Sequence, residues 1–246
     1  ANLGVTGAIV NGQAFANGVT VASTGTNTFS GNNTYTGVTT ISAGTTILSG
    51  NNSAATGGLV VGGATGTTDK PVLRLNSVNA ISSSSSISGA NSSDRTGTLD
   101  FAAGTSYTLN NYNGGNMIFT NSFGQASVVT FTNAESLLTS SAGSSGGRSL
   151  QNNSSNLKIV FDGSLDIGSS VTDTVNTIGG AGDFVVKGNI FSTTAGSVRG
   201  LSKTGTGLLE MRGDNNSYNG NTTIFNGTIS VTNGAVLTGT TVRVAP

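Results

Sequence analysis

Two distant segments of this sequence share one pattern of glycine, asparagine, tyrosine and threonine. The first runs from Phe29 to Thr45 and the second from Met211 to Thr228. Both place a glycine two residues after the tyrosine, then a Thr-Ile pair, then a closing glycine. A chain that repeats in this way builds the same structural unit more than once, which constrains its fold more than any other feature.

The two copies align with one inserted residue near Asp214. The aligned pairs, which we expect to be structural positions of the repeat, are Gly31 with Gly213, Tyr35 with Tyr218, Gly37 with Gly220, Ile41 with Ile224, and Gly44 with Gly227.

Each unit has the chemistry of a short strand between two bends. Gly and Asn tolerate the positive φ angles of tight turns, whereas Thr-Thr-Ile favours a strand with one apolar side chain turned inward. Such a unit has a single apolar face and buries it only by stacking on similar units. We expect the repeated asparagines to form side-chain ladders between stacked units.

The rest of the chain has the same character. Gly, Ser, Thr and Asn make up more than half of the residues, and charged residues are only 8%. Short apolar runs between them predict further strands at Leu59–Val61, Val72–Leu75, Leu99–Phe101, Tyr107–Leu109, Met117–Phe119, Val128–Phe131, Leu157–Phe161, Leu165–Ile167, Thr174–Ile178, Phe184–Val186 and Leu208–Met211.

These patterns predict an all-β parallel β-helix, or β-solenoid, with about 20 residues per coil and a length of about 50–60 Å. We take residues 1–246 as one domain, with repeat units near 23–50 and 201–231. Ser82–Ser86 and the run at 140–148 are expected to be exposed loops, and the stack could loosen near 140–150. The expected inner stack is Ile41, Ile47, Leu59, Val61, Leu73, Leu75, Phe101, Phe119, Phe131, Phe161, Val185, Leu208, Ile224 and Ile229.

The C-terminal unit begins with Lys203-Thr-Gly205-Thr-Gly207 and continues through alternating leucines into the tyrosine segment. It resembles the passenger-associated repeat of bacterial autotransporters. The N-terminal copy resembles that repeat less fully: it keeps Gly25 but has Ser23 in place of the lysine and Asn27 in place of the second glycine.

The resemblance implies a right-handed β-helix that is secreted and exposed at the bacterial cell surface. Proteins of this kind are often adhesive or structural, so a host or matrix surface is an expected partner. The tripeptide Arg212-Gly213-Asp214 matches an integrin-recognition motif, but it falls where the repeat already requires turn residues.

Composition excludes several functions. Histidine and cysteine are absent, which removes Ser-His-Asp and Cys-His catalysis and thiolate or imidazole metal sites. The net charge is zero with no basic patch, so nucleic-acid binding has no electrostatic support. No apolar run is long enough to span a bilayer. We expect no enzyme activity and no cofactor.

One enzymatic alternative is a carbohydrate-active β-helix that resembles a polysaccharide lyase. It would need clustered aspartates and a basic residue, and stacking could bring Asp162, Asp166 and Asp183 near Lys158 and Lys187. The competing interpretation is that these are scattered solubilising charges. The loose aromatic cluster that a sugar could stack on consists of Tyr107, Tyr112 and Phe119.

Both ends of the sequence are apolar and β-prone, at Leu3–Val10 and at Val236–Val244. Solenoid ends expose unpaired backbone groups, and a head-to-tail contact between such ends does not close into a ring. We therefore expect other copies of the chain as partners, which stack into a fibre. The candidate contact residues are Leu3, Val5, Ile9, Val10, Val242 and Val244.

Overall fold

The structure is a computed structural model that describes residues 2–12, 16–63, 68–90, 95–102, 104, 106–137, 146–168, 173–193, 197–232 and 237–245. Its strands are β1 (Leu3–Val5), β2 (Val19–Val21), β3 (Thr26–Phe29), β4 (Thr39–Ile41), β5 (Thr45–Leu48), β6 (Leu59–Val61), β7 (Val72–Leu75), β8 (Ile87–Gly89), β9 (Gly97–Phe101), β10 (Tyr107–Leu109), β11 (Met117–Thr120), β12 (Ser127–Phe131), β13 (Glu135–Leu137), β14 (Ser149–Asn152), β15 (Leu157–Phe161), β16 (Ser164–Asp166), β17 (Thr174–Gly180), β18 (Asp183–Val186), β19 (Ile190–Phe191), β20 (Arg199–Lys203), β21 (Leu208–Met211), β22 (Asn216–Ser217), β23 (Thr222–Ile224), β24 (Thr228–Val231), β25 (Leu237–Thr238) and β26 (Val242–Val244).

These strands stack into a parallel β-solenoid, which confirms the predicted fold class. Every pairing between them is parallel. Each of the eleven strands that the sequence predicts is present, and no strand end differs from its predicted position by more than two residues. No α-helix occurs among the described residues, and none of their segments is a helix long and apolar enough to cross a membrane.

One sheet runs through the whole solenoid. It has eleven strands in the order β1-β3-β5-β7-β9-β11-β14-β17-β20-β23-β26. Ten steps of about 4.8 Å make it about 48 Å long, slightly less than the expected length. Three shorter sheets complete the walls: β2-β4-β6-β8, β10-β12-β15-β18-β21-β24 and β13-β16-β19-β22-β25.

The expectation of about 20 residues per coil is wrong for the middle of the chain. Residues on neighbouring coils are 19 apart at Asn33 and Asn52 but 33 apart at Asn116 and Ser149. The longer coil contains a third strand, β13, and its turns are longer, so the additional residues lie in both. Fewer coils form than a uniform repeat would give, which is why the body is shorter than expected.

Nine of the fourteen expected inner residues lie in the core: Ile41, Leu59, Val61, Leu73, Leu75, Phe101, Phe119, Phe131 and Phe161. Ile229 is partly buried against it.

The other four predictions are wrong. Ile47, Leu208 and Ile224 are half-buried and outside the core, and Val185 is buried but on the outer side of its strand. Ile47, Leu208 and Val185 were assigned to the wrong face, because side chains alternate between the two faces of a strand and an error of one residue reverses the face. Thus Leu48 and Leu209 are the core residues in place of their neighbours. Ile224 lies in the core-facing column of Ile178 and Leu150, but it is near the end of the stack and is only partly buried.

The segment Ser82–Ser86 is a turn, as its composition suggests, but it is only partly exposed, at Ser83 and Ser84. Ser82 and Ser85 are buried, and the Ser85 hydroxyl donates a hydrogen bond of 2.8 Å to the carbonyl oxygen of Gly57. The other expected loop, at 140–148, lies mostly outside the described residues.

An aromatic stack fills the middle of the core. Phe131 and Phe161 stack with ring centroids 5.1 Å apart, and Phe101 contacts Tyr107 at 4.9 Å. The three aromatics considered as a sugar platform are completely or almost completely buried in this stack: Tyr107, Tyr112 and Phe119. That prediction of a loose surface cluster is wrong, because at these positions the aromatic side chains face the core.

The two repeat copies lie on different faces of the solenoid. From β1 to β10 each coil has two strands, and from β11 to β25 each coil has three. The Thr-Thr-Ile strand of the first copy, β4, belongs to the four-stranded sheet. The matching strand of the second copy, β23, belongs to the eleven-stranded sheet. The same local unit is therefore rotated by one face between the two copies.

Candidate functional site

The tyrosines of the two repeat copies occupy matching environments. Both are buried and lie outside the strands. Tyr35 shares a hydrogen bond of 2.5 Å with the Thr39 hydroxyl, and Tyr218 shares one of 2.6 Å with the Thr222 hydroxyl. Burial raises the pKa of both phenols, and the bond to threonine partly opposes that rise. Each ring thus fastens its turn to the strand that follows.

The glycine after each tyrosine lets neighbouring coils approach closely. The Gly37 N–H donates to the carbonyl oxygen of Asn17 at 3.1 Å, and the Gly220 N–H donates to that of Arg199 at 2.7 Å. A Cβ atom on Gly37 would lie 2.4 Å from the Asn17 oxygen, and one on Gly220 would lie 2.3 Å from the Arg199 oxygen. Such distances are repulsive, so the stacking itself requires glycine here.

The other glycines of the repeat have related roles. Gly44 and Gly227 adopt φ angles of +62° and +77°, a region that L side chains rarely adopt. Gly31 and Gly213 lie against the backbone of the preceding coil, where added Cβ atoms would be 2.2 Å and 2.6 Å from carbonyl oxygens.

A buried asparagine in each copy also ties the coils together. Asn33 accepts a hydrogen bond of 2.7 Å from the N–H of Ile9, and Asn216 accepts one of 2.7 Å from the N–H of Ile190. Asn33 also donates to the side-chain oxygen of Asn52 at 2.6 Å. The expected asparagine ladder between coils is present at this corner.

Lys203 has an unexpected position inside the wall of the solenoid. It is 1% exposed, and its ammonium donates to the carbonyl oxygens of Thr204 and Gly205 at 2.7 and 2.9 Å. Burial lowers the pKa of Lys203, and the attraction of the Asp183 carboxylate partly opposes this. The lysine of the Lys-x-Gly-x-Gly motif therefore caps its own glycine turn.

The structure corrects our alignment of this motif between the copies. Lys203 pairs with Ile224 in the second copy, and the residue that pairs with Ile41 in the first copy is Val21. Val21, not Ser23, therefore stands where the lysine is, and Gly25 matches Gly207. The offset that pairs Gly31 with Gly213 also pairs Val21 with Lys203, so the placement of Ser23 was an alignment error of two residues that the strand register exposes.

The two ends of the eleven-stranded sheet are apolar. Leu3 is 55% exposed on β1, whereas Val242 and Val244 are 49% and 77% exposed on β26. These side chains lie in the columns that face the core elsewhere in the sheet. Behind β1, Val5 and Ile9 are partly buried against the core, and Val10 is 57% exposed.

Four of the charges considered for a lyase site lie on the neighbouring strands β15 and β18 or just past their ends, namely Lys158, Asp162, Asp183 and Lys187, whereas Asp166 lies on another sheet. Asp162 forms an ion pair with Lys187 at 2.6 Å. Asp166 is buried and accepts hydrogen bonds from the Gly168 N–H at 2.7 Å and the Thr193 hydroxyl at 2.8 Å. Among the described residues, no three His, Cys, Asp or Glu side chains gather as a metal site would need.

The Arg-Gly-Asp tripeptide is not an isolated projecting loop. The Arg212 guanidinium donates to both carboxylate oxygens of Glu210, at 2.8 and 2.9 Å. Glu210 in turn keeps the pKa of Arg212 above its ordinary value, and Arg212 lowers the pKa of Glu210. Asp214 is exposed.

These features define a solenoid of stacked repeat units fastened by buried Tyr-Thr and Asn contacts. A family model described as the passenger-associated-transport-repeat matches residues 19–46 and 201–231. The chain thus carries two copies of this repeat, at the places where the sequence resemblance predicts them. No curated protein and no solved structure matches the chain.

The repeat associates the chain with autotransporter passengers, and so with a secreted or surface-exposed protein. Passenger repeats of this kind are typically non-catalytic.

Proposed function

We propose that this chain is extracellular structural and adhesive material of a bacterial surface, without catalytic activity, and that its copies associate end to end into a fibre. The repeat supports an extracellular passenger role. The absence of histidine and cysteine from the sequence and the separate pairing of Asp162 and Asp166 favour a structural role over the lyase-like alternative.

The observation that carries the proposal is the apolar character of β1 and β26, the outermost strands of the eleven-stranded sheet among the described residues. Both expose side chains that occupy core-facing columns. A strand of a second copy on β26 would cover Val242 and Val244 and pair the backbone groups of that edge.

The two edge strands also match each other. β26 alternates apolar Val242, charged Arg243 and apolar Val244, whereas β1 alternates Leu3, Gly4 and Val5. In parallel pairing with Val244 beside Val5, all four apolar side chains face the core and Arg243 stays outside next to Gly4. A contact of this kind joins different surfaces of the two copies, so it propagates as a filament.

Cysteine cross-linking tests this register directly, because the native chain has no cysteine. A Val5→Cys/Val244→Cys variant places two thiols on the same side of adjacent strands, within the Cα separation that a disulfide needs. Oxidation is expected to give a ladder of covalent multimers on denaturing gels.

The matched control is Gly4→Cys/Val244→Cys, which puts the two thiols on opposite faces and is expected to cross-link far less. Sedimentation of the wild-type chain at rising concentration gives the second measurement. Equal ladders from both variants, or a wild-type chain that remains monomeric at high concentration, would contradict end-to-end association.

Adhesion to a host or matrix surface belongs to the same proposal. End-to-end association multiplies weak contacts, so avidity for an immobilised matrix protein should grow with fibre length. Surface plasmon resonance with cross-linked multimers and monomers at equal mass tests this. Equal retention of the two forms would contradict a multivalent adhesive role.

A further inference from the structure

Charged residues are unevenly distributed over the solenoid. The first charged residue in the sequence is Asp69. By contrast, six charged side chains gather on or beside the outer side of the six-stranded sheet, on three consecutive coils. This charged face consists of Lys158, Asp162, Asp183, Lys187, Glu210 and Arg212.

The register of the strands orders these charges in columns. One column lies near the first residue of each strand. On consecutive strands it consists of Val128, Lys158, Asp183 and Leu208. Val160, Val185 and Glu210 form the central column. Asp162 lies beside Lys187 just past the strand ends. Along β15 the outward side chains are therefore positive, apolar and negative (Lys158, Val160 and Asp162). Along β18 the order is reversed, from negative through apolar to positive.

Two of these charges lack an ion pair. Among the described residues, the Lys158 ammonium forms no salt bridge, and it is exposed. The Asp183 carboxylate accepts a hydrogen bond of 3.0 Å from the Leu208 N–H and likewise forms no salt bridge with a described residue. Asp162 and Lys187 are paired within the chain but remain about one-third and one-half exposed.

We propose that this charged face binds the same face of a second copy, through a two-fold axis that runs parallel to the strands between β15 and β18. The axis places Lys158 of each copy against Asp183 of the other, and Asp162 against Lys187 of the other. Val128 faces Leu208, whereas Val160 and Val185 in the central column are only 8% and 4% exposed in the single chain and add little to the contact. A two-fold contact uses one patch on both copies, so every opposite-charge pair occurs twice.

The charge pattern also allows a two-fold axis along the solenoid, which would place Lys158 against Asp162 of the other copy. In that arrangement half-buried Leu208 would face the charged Arg212. The apolar pairs Val128–Leu208 favour the axis parallel to the strands. The two solenoids of the pair then run in opposite directions.

The charged columns of the face are accessible, because Lys158 and Lys187 are exposed and two of the turns beside them are short. Only residues 181–182 separate β17 from β18, and only residues 162–163 separate β15 from β16. The contact involves four short strands, β12, β15, β18 and β21, so it is smaller than a standard protein interface. A single pair of faces is therefore weak and sensitive to salt, and copies joined end to end would strengthen it by multivalency.

Sedimentation velocity of the full chain tests the proposal in a Leu3→Asp/Val244→Asp background, which removes association through the ends. A dimer is expected at about 0.05 M salt and its dissociation at about 0.5 M. Lys158→Glu sets a carboxylate against Asp183 twice in the pair and is expected to weaken dimerisation by about tenfold or more.

The charge-swapped variant Lys158→Glu/Asp183→Lys decides between the two axes. It restores dimerisation with the axis parallel to the strands, but sets like charges together with the axis along the solenoid. The Leu3→Asp/Val244→Asp background removes the end-to-end contact of the proposed fibre. Failure of the two-fold contact is therefore distinguishable from failure of end-to-end association. A background chain that stays monomeric at low salt, or a swap that does not restore the dimer, would overturn the inference. Unchanged circular dichroism of each variant confirms that folding is preserved.

Discussion

Replacing the repeat tyrosines by phenylalanine should cost different amounts of stability in the two copies. Tyr35→Phe leaves the Thr39 hydroxyl without the hydrogen bond it makes in the native structure, at a side chain only 6% exposed. Tyr218→Phe leaves Thr222 with a second contact, because its hydroxyl also lies 3.1 Å from that of Thr240. The first substitution is therefore expected to be the more damaging.

The magnitudes follow from the cost of unsatisfied buried groups. A buried hydroxyl that loses its partner costs about 1–3 kcal/mol, whereas a hydrogen bond lost where another partner remains costs about 0.5–1.5 kcal/mol. We expect Tyr35→Phe to lower the free energy of local unfolding by about 2 kcal/mol and Tyr218→Phe by about 1 kcal/mol.

Native-state hydrogen exchange is the appropriate assay, because a solenoid opens coil by coil and a global melting curve averages over the coils. The amides of Thr39–Ile41 and of Thr222–Ile224 report on the two sites separately. The matched control is Tyr35→Phe/Thr39→Val, which replaces both partners by apolar groups and should recover most of the lost protection.

Equal losses of protection at the two sites would refute the reasoning, since the only difference claimed is the second contact of Thr222. A double variant at Tyr35 and Thr39 that is less protected than Tyr35→Phe alone would show that the ring packing, and not the hydroxyl pair, stabilises the corner.

Three further outcomes are expected. Gly220→Ala should disrupt the stacking of its coil on Arg199 and cost several kcal/mol by hydrogen exchange, whereas Gly4→Ala, at a position with nothing within 4 Å, should be nearly neutral. As pH increases towards about 10.4, the unfolding free energy of the wild type should rise relative to that of Lys203→Met. The reason is that the pKa of Lys203 is lowered in the native state, so the native state releases this proton before the unfolded state does. Urea titrations of the two proteins that do not diverge with pH would contradict this. Above a pH of about 10 the chain should lose stability, because burial raises the pKa of Tyr112 and of both repeat tyrosines, so these phenols ionise first in the unfolded state. Absorbance at 295 nm, which reports tyrosinate, and circular dichroism should then change together. Formation of tyrosinate without unfolding would contradict this prediction.

The sequence predicts the local units well because their causes are local. Gly44 and Gly227 are required by positive φ, and Tyr35 and Tyr218 by a contact only four residues away. The same information failed at Ile47 and Leu208, where the choice of inward face depends on the neighbouring coil. It also failed for Tyr107 and Tyr112, whose aromatic character is equally suited to a surface and to a core.

The sequence spacing indicated that stacking could bring Asp162 and Asp183 near Lys158 and Lys187, but the columns in which they meet and the role of Lys203 were out of reach of sequence reasoning. Asp162 and Lys187 are far apart in the chain and meet only because β15 and β18 are stacked in one register. In the sequence, Lys203 is expected to be an exposed charged residue at the end of a strand. Its burial follows from the glycine turns of its own coil and of the neighbouring coils that surround it.

By itself the sequence determined that this chain is a parallel β-solenoid of passenger-type repeats, because strand propensity, turn glycines and a single apolar face act within each unit. Only the tertiary structure decided the lengths of the coils, the rotation of one repeat copy by one face relative to the other, and the columns in which charges meet. The physical reason is that these depend on register between coils, and register is set by how far each turn extends before the chain returns to the stack.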